Sequence, residues 1–211
     1  MVKEKSMYGV FIIESLEGDE YFDGKNLEAI LRLSNIPCEY RNVDSVKKLT
    51  QAVEDFRKSK LRYLYLSCHA DTDGIAINGY DVSNAELAEI FKGNVKKKRL
   101  FLSACKAGNR NMATAFINKS GGQSIIGAPI DLYFDKAALF WPSFFHVINM
   151  AEQDKMNKQS LSKTLKQCVD LFEIPINYYH AINNQEMYLR RYKFRHNKVT
   201  TNKKVLMTKQ L

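Results

Sequence analysis

Short apolar runs bounded by polar turns alternate along this chain with segments whose apolar positions recur every three or four residues. Tyr8-Gly-Val-Phe-Ile-Ile-Glu-Ser15 is apolar enough for a buried strand. After a polar, acidic loop, Leu27, Ile30, Leu31 and Leu33 form a helical stripe between Lys25 and Ser34. Pro37 to Val43 alternates as a second strand, and Val46, Leu49, Val53 and Phe56 return to helical spacing. Arg62 to Cys68 and Lys98 to Ala104 predict the third and fourth strands. Between them, Gly74-Ile-Ala-Ile-Asn-Gly79 predicts a small hairpin, because Asn-Gly favours a tight reversed turn. A helix capped by Ser83 or Asn84 comes next, with Leu87, Ile90 and Phe91 inward. A short helix over 111–118 leads through Gly121-Gly122 into a fifth strand, Gln123 to Ala128. Helices over 137–150 and 161–172 complete the pattern. The aromatic run Leu139-Phe-Trp-Pro-Ser-Phe-Phe145 reads as core packing, with Pro142 near a helix start.

Strand–helix alternation implies an α/β fold, a mostly parallel sheet with helices on both faces, over residues 1–186. Ligands of such sheets sit beyond the carboxyl ends of the strands. Reactive residues are therefore expected just after strands. The third run ends Ser67-Cys68-His69-Ala70 and the fourth Ser103-Ala104-Cys105. Neighbouring parallel strands with matching endings bring His69 and Cys105 to one rim. An imidazole there can make a thiolate, and strand-end backbone N–H groups can hold a developing oxyanion. Cys68 alternates to the opposite face and reads as core. Cys38 and Cys168 have no histidine nearby in sequence.

Composition narrows the classes. The 211 residues are 45% hydrophobic and 26% charged, with 10 Gly and 4 Pro, which excludes collagen-like and low-complexity chains. No run of about 18 apolar residues predicts a membrane-spanning helix, and the opening Met-Val-Lys-Glu-Lys-Ser-Met does not read as a signal peptide. Four scattered cysteines without a Cys-x-x-Cys pair predict neither a disulfide scaffold nor zinc. The expectation is a reducing, cytoplasmic setting with no metal or other cofactor. The net charge of +9 is concentrated: residues 187–211 hold eight Lys or Arg and no acid. Within that basic segment, the alternation through Tyr188, Arg190, Tyr192 and Phe194 predicts an edge strand. A returning strand is predicted between Lys198 and Met207. The interleaved cations and aromatics of Arg190-Arg-Tyr-Lys-Phe-Arg195 leave nucleic-acid binding as a rival reading.

The ordered motifs resemble a known family. Ser67-Cys-His69-Ala-Asp-Thr-Asp-Gly74-Ile-Ala-Ile-Asn-Gly79-Tyr-Asp81 resembles the histidine segment of caspase-like (clan CD) cysteine peptidases. Leu102-Ser-Ala-Cys105-Lys-Ala-Gly108 resembles the nucleophile segment, most closely in bacterial CHAT-type members. Residues 121–131, with Phe144-Phe145, resemble the CHAT pattern downstream of the nucleophile. The resemblance implies a caspase-like three-layer sandwich and a cysteine endopeptidase with Cys105 as nucleophile and His69 as general acid/base. It implies an oxyanion hole from the backbone N–H groups of Cys105 and Ala70. The family usually has Gly where this chain has Ala70, and a Cβ is costly there if φ must be positive. Relatives that cut after Asp carry an arginine in the loop after the first strand. Here that loop carries Glu17 and Asp19 and no base, so a Lys or Arg at the cleavage point of a protein or peptide substrate is expected, with Asp131 and Asp135 as second selectors. Activation by a separate sensor protein or by proteolysis, in bacterial stress or defence, is implied by the family alone. The rivals are a catalytically inactive interaction module and a nucleic-acid-binding regulator.

Overall fold

The computed structural model describes residues 7–18, 20–151, 156–182 and 186–194. The strands are β1 (Met7–Ser15), β2 (Cys38–Asn42), β3 (Leu61–Ala70), β4 (Gly74–Ile77), β5 (Tyr80–Ser83), β6 (Arg99–Ser103), β7 (Ser124–Gly127), β8 (Ile176–Ala181) and β9 (Met187–Tyr192). The helices are α1 (Asp23–Leu33), α2 (Val46–Ser59), α3 (Asn84–Phe91), α4 (Arg110–Ala113, continued by a π-helical turn Thr114–Lys119), α5 (Phe134–Ala151) and α6 (Lys158–Phe172). The sheet runs β2-β1-β3-β6-β7-β8-β9, and the β4–β5 hairpin hangs from the end of β3. Pairing is parallel from β2 to β7 and antiparallel for β8 and β9.

The period-2 alternation of the strands sorts the core onto two faces. Phe11, Leu64, Leu66, Leu100 and Leu102 pack with α2, α3 and α4. Val10, Ile12, Tyr63, Tyr65, Phe101 and Ile126 pack with α1, α5 and α6. The fold class is thus the α/β sheet with helices on both faces that the patterning predicts.

Local chemistry sets the joints. Asn78 and Gly79 both have positive φ, the pair of left-handed residues that a reversed two-residue turn requires. Ser83 caps α3 in a reciprocal box with Glu86. The aromatic run is core: Phe140, Trp141, Phe144 and Phe145 are buried. Its proline is not at a helix start, however. Pro142 lies in the middle of α5. Lacking an N–H, it leaves the carbonyl four residues back without its helical donor. That carbonyl belongs to Ala138, and the Asn26 side-chain amide of α1 donates to it at 3.3 Å. The interruption is compensated from the neighbouring helix, so α5 runs through.

Beyond the patterned elements, β8 is a strand that the apolar periodicity does not predict, and β9 is the edge strand expected from 188–194. The predicted returning strand over 198–207 lies outside the described residues. No helix among the described residues is long and apolar enough to cross a membrane.

Candidate active site

The registers of the sheet bring the two candidate side chains to one height. Ser67 of β3 pairs with Ser103 of β6 in parallel. Two residues further along each chain stand His69 and Cys105, both by alternation on the face covered by α1 and α5. A single loop touches both. The Leu132 N–H points at Cys105 Sγ at 3.3 Å, and the Phe134 ring meets the His69 imidazole edge-on at 6.1 Å between centroids. Cys105 is half-buried and His69 exposed.

Each side chain is held by a separate partner, and no hydrogen bond joins them. Cys105 Sγ, besides accepting from Leu132, lies 3.7 Å from the Leu132 carbonyl. His69 Nε2 lies 2.6 Å from Glu20 Oε1. A carboxylate only accepts, so Nε2 carries the proton donated to Glu20 and Nδ1 is the nitrogen left for the thiol. Glu20 is itself oriented: its Oε2 accepts the Glu17 N–H at 2.7 Å. The acidity of this loop is legible in the sequence, but Glu20 is not singled out there, because nothing in the spacing ties it to a histidine 49 residues on.

Below the rim, the strand ends are tied to α1 through a buried carboxylate. Asp23 accepts from Ser67, from Ser103 at 2.6 Å and from Tyr65 at 2.7 Å. The two serines immediately precede Cys68-His69 and Ala104-Cys105, so one acid fixes both strand ends. Next to it, Glu14 accepts the Gly24 N–H at 2.6 Å, the Lys25 N–H at 3.1 Å and the Tyr40 hydroxyl at 2.7 Å. Burial, reinforced by Asp23, still outweighs these bonds and pushes Glu14 up to about 7. Burial likewise raises the Cys68 thiol, which sits in the core as its alternation predicts.

The loop after β6 is strapped to β7. Lys106 has φ +54 and donates to the Ile130 carbonyl at 2.9 Å. Gly108 donates to Ala128, and a Cβ on it would lie 2.2 Å from the Gly127 oxygen. Only glycine permits that approach. Across the rim, Ala70 pairs with Ile75 and has no positive φ, so its Cβ meets no left-handed strain there. The next residue, Asp71, donates to Gly74. Antiparallel pairing alternates bonded and non-bonded positions, which leaves the Ala70 N–H out of the β3–β4 ladder.

The acidic candidates separate. Glu17 is exposed in the β1–α1 loop, and Asp19 lies outside the described residues. Asp131 is engaged at 3.0 Å by Lys106, the neighbour of Cys105. Asp135 is exposed in the first turn of α5, one residue past Phe134. A cavity of about 420 Å³ beside His69 is lined instead by Asp71, Asp73, Asp81 and Glu86. Of these, Asp71 accepts two backbone N–H groups of its own turn and Glu86 belongs to the α3 cap. No group of three or more His, Cys, Asp or Glu among the described residues is placed to hold a metal ion.

A family model matches residues 12–178. The chain belongs to DUF6642. That family is described as one of unknown function, and no curated protein matches the chain. Among solved structures, gingipain R, described as an Arg specific cysteine proteinase, superposes with a TM-score of 0.53 at 7% identity, over 92% of this DUF6642 chain and 68% of its own. At that identity the likeness establishes the fold, which is the caspase-like α/β sandwich that the motifs imply.

Proposed function

We propose that this protein is a cysteine endopeptidase with Cys105 as nucleophile and His69 as general acid/base. The observation that carries the reading is the β3–β6 register, which ends two parallel strands with an imidazole and a thiol at one height under one shared loop. In acylation, His69 Nδ1 takes the thiol proton, Cys105 Sγ bonds to the scissile carbonyl carbon, and the C–N bond breaks as the imidazolium gives its proton to the leaving amine. Water then adds to the thioester, His69 accepts its proton, and the acid leaves as the thiol is restored. The backbone N–H groups of Cys105 and Ala70 are the proposed oxyanion donors. Glu20 acts as a positioning residue through Nε2.

A basic side chain at the cleavage point fits the carboxylates lining the cavity beside His69. The exposed Glu17 and Asp135 lie three residues before Glu20 and one past Phe134, both of which touch His69. The likeness to a proteinase described as Arg specific points the same way. The Leu132 contacts on Sγ support a resting state that becomes reactive when the 128–134 loop shifts, as activation by a partner or by proteolysis would require. The lack of a hydrogen bond between Sγ and the imidazole favours the second reading, an inactive interaction module.

The deciding experiment is covalent labelling with Arg-, Leu- and Asp-ended peptide electrophiles, read by intact mass and peptide mapping. Stoichiometric label on Cys105 is expected, fastest with the Arg-ended reagent and lost in His69→Ala. Labelling no faster than that of free cysteine, or unchanged in His69→Ala, establishes the inactive module instead.

A further inference from the structure

At the amino-terminal edge of the sheet, about 23 Å from His69 along the seven residues of β3 that separate it from Arg62, lies a second cavity. Its volume is about 530 Å³, and Arg62, Lys97, Arg99, Lys158, Tyr178 and His180 are among its lining residues. No Asp or Glu among the described residues lines it. Small-molecule sites fall in this size range and combine an aromatic wall with a few charged groups.

Arg99, the first residue of β6, is the exceptional member. It is only 5% exposed. Its Nη2 donates to the Met156 carbonyl at 3.3 Å, and the guanidinium stands 5.9 Å from the centre of the Tyr178 ring. Its Nε and Nη1 groups make no hydrogen bond of full geometry among the described residues, and the Tyr178 hydroxyl is the nearby oxygen that the guanidinium stabilises. Burying a permanent cation with donors unmet is costly. That cost falls when an anion in the cavity sets its charge beside the guanidinium. Burial lowers the His180 imidazole, and Arg99 and Lys158 lower it further.

We propose that this cavity is a binding site for a small phosphate-bearing anion, anchored by Arg99 with Lys97 and Lys158 completing the charge. A planar guanidinium offers a two-pronged match to phosphate oxygens. A phosphate dianion also answers more of the charge of Arg99, Lys97 and Lys158 than a single carboxylate does. The site stands apart from the candidate dyad and does not depend on it.

The full chain is titrated with inorganic phosphate and, separately, with adenosine monophosphate, at ionic strength held constant with chloride. Binding is read by calorimetry and by the shift in Tm. One saturable site and a raised Tm are expected with at least one probe. Tighter binding of the nucleotide identifies an organic phosphate as the ligand class, and equal binding identifies the free ion. Arg99→Met is expected to weaken binding about tenfold or more, and Lys158→Gln, on the exposed wall, about threefold. Lys47→Gln, on the far helix α2, leaves affinity unchanged. Should Arg99→Met fail to fold, Lys158→Gln decides. Absence of binding by either probe at about 20 mM, a range that already reaches millimolar affinities, overturns the proposal. So does binding that folded pocket variants leave untouched.

Discussion

A carboxylate 2.6 Å from an imidazole nitrogen fixes which nitrogen carries the proton. With Glu20 on Nε2, the neutral His69 ring presents Nδ1 as its base, and rotation of the ring is restrained by the edge contact with Phe134. Replacing Glu20 with Gln keeps the shape and removes the charge that selects this tautomer. The expected result is a fall in kcat of about 10- to 100-fold, the range typical for removing a supporting hydrogen-bond partner, with KM little changed. Glu20→Asp recovers part of the loss. Nitrogen NMR of labelled His69 supplies a readout that packing alone does not move: the Nε2–H form dominates in the native chain and loses its dominance in Glu20→Gln. An unchanged tautomer ratio removes Glu20 from the mechanism. At this scale the sequence singles out His69 and Cys105 as a candidate pair because both come after apolar runs with matching endings. It conceals Glu20, and it shows Asp71, Asp73 and Asp81 only as members of the histidine segment, not as a shared cavity lining. Glu20, Asp71 and Asp73 reach the site through loops, where no periodicity constrains what faces what, and Asp81 through the short hairpin strand β5.

Among the elements, the strands and helices that alternate in the apolar pattern are legible within a few residues, and those that depend on a distant partner are not. β8 comes soon after α6 and turns the sheet antiparallel, a reversal that Ile176-Asn-Tyr-Tyr-His-Ala181 does not announce. Pro142 is the sharper case. Its local rule ends a helix, yet α5 continues because Asn26 on α1 satisfies the Ala138 carbonyl. Tertiary contact overrides local preference at one identifiable hydrogen bond. Asn26→Leu keeps the side-chain volume and removes the donor. Leaving the carbonyl unpaired at this partly buried position is expected to cost about 1–2 kcal/mol of unfolding free energy. Urea denaturation measures it as a lower midpoint at constant slope. Combining it with Pro142→Ala, which restores the helical donor, should make the asparagine change nearly silent. A full additive loss in the double variant excludes this account of the helix.

Across the whole molecule, the candidate rim rests on two acids that meet at the start of α1, Asp23 of the helix and Glu14 of β1. Asp23 ties Ser67 and Ser103, and Glu14 holds the first N–H groups of the same helix. These bonds join β1, β3 and β6 to one helix terminus, so the ionisation of Glu14 is felt by the fold and by the site together. Its carboxyl is moved from the ordinary 4.5 to about 7, chiefly by burial. Between those values the folded chain holds a proton that the unfolded chain has released. Stability therefore falls as pH rises through that window, and the full penalty is present above it. The displacement corresponds to at most about 3 kcal/mol. Glu14→Gln removes the titration while keeping a carbonyl for the helix N–H groups. The native chain is expected to lose Tm between pH 5 and pH 8 relative to Glu14→Gln, with the variant equal or more stable at pH 8. If the two melting curves keep a constant separation across that range, Glu14 does not carry the buried proton, and the coupling between the helix start and the strand ends acts through shape alone.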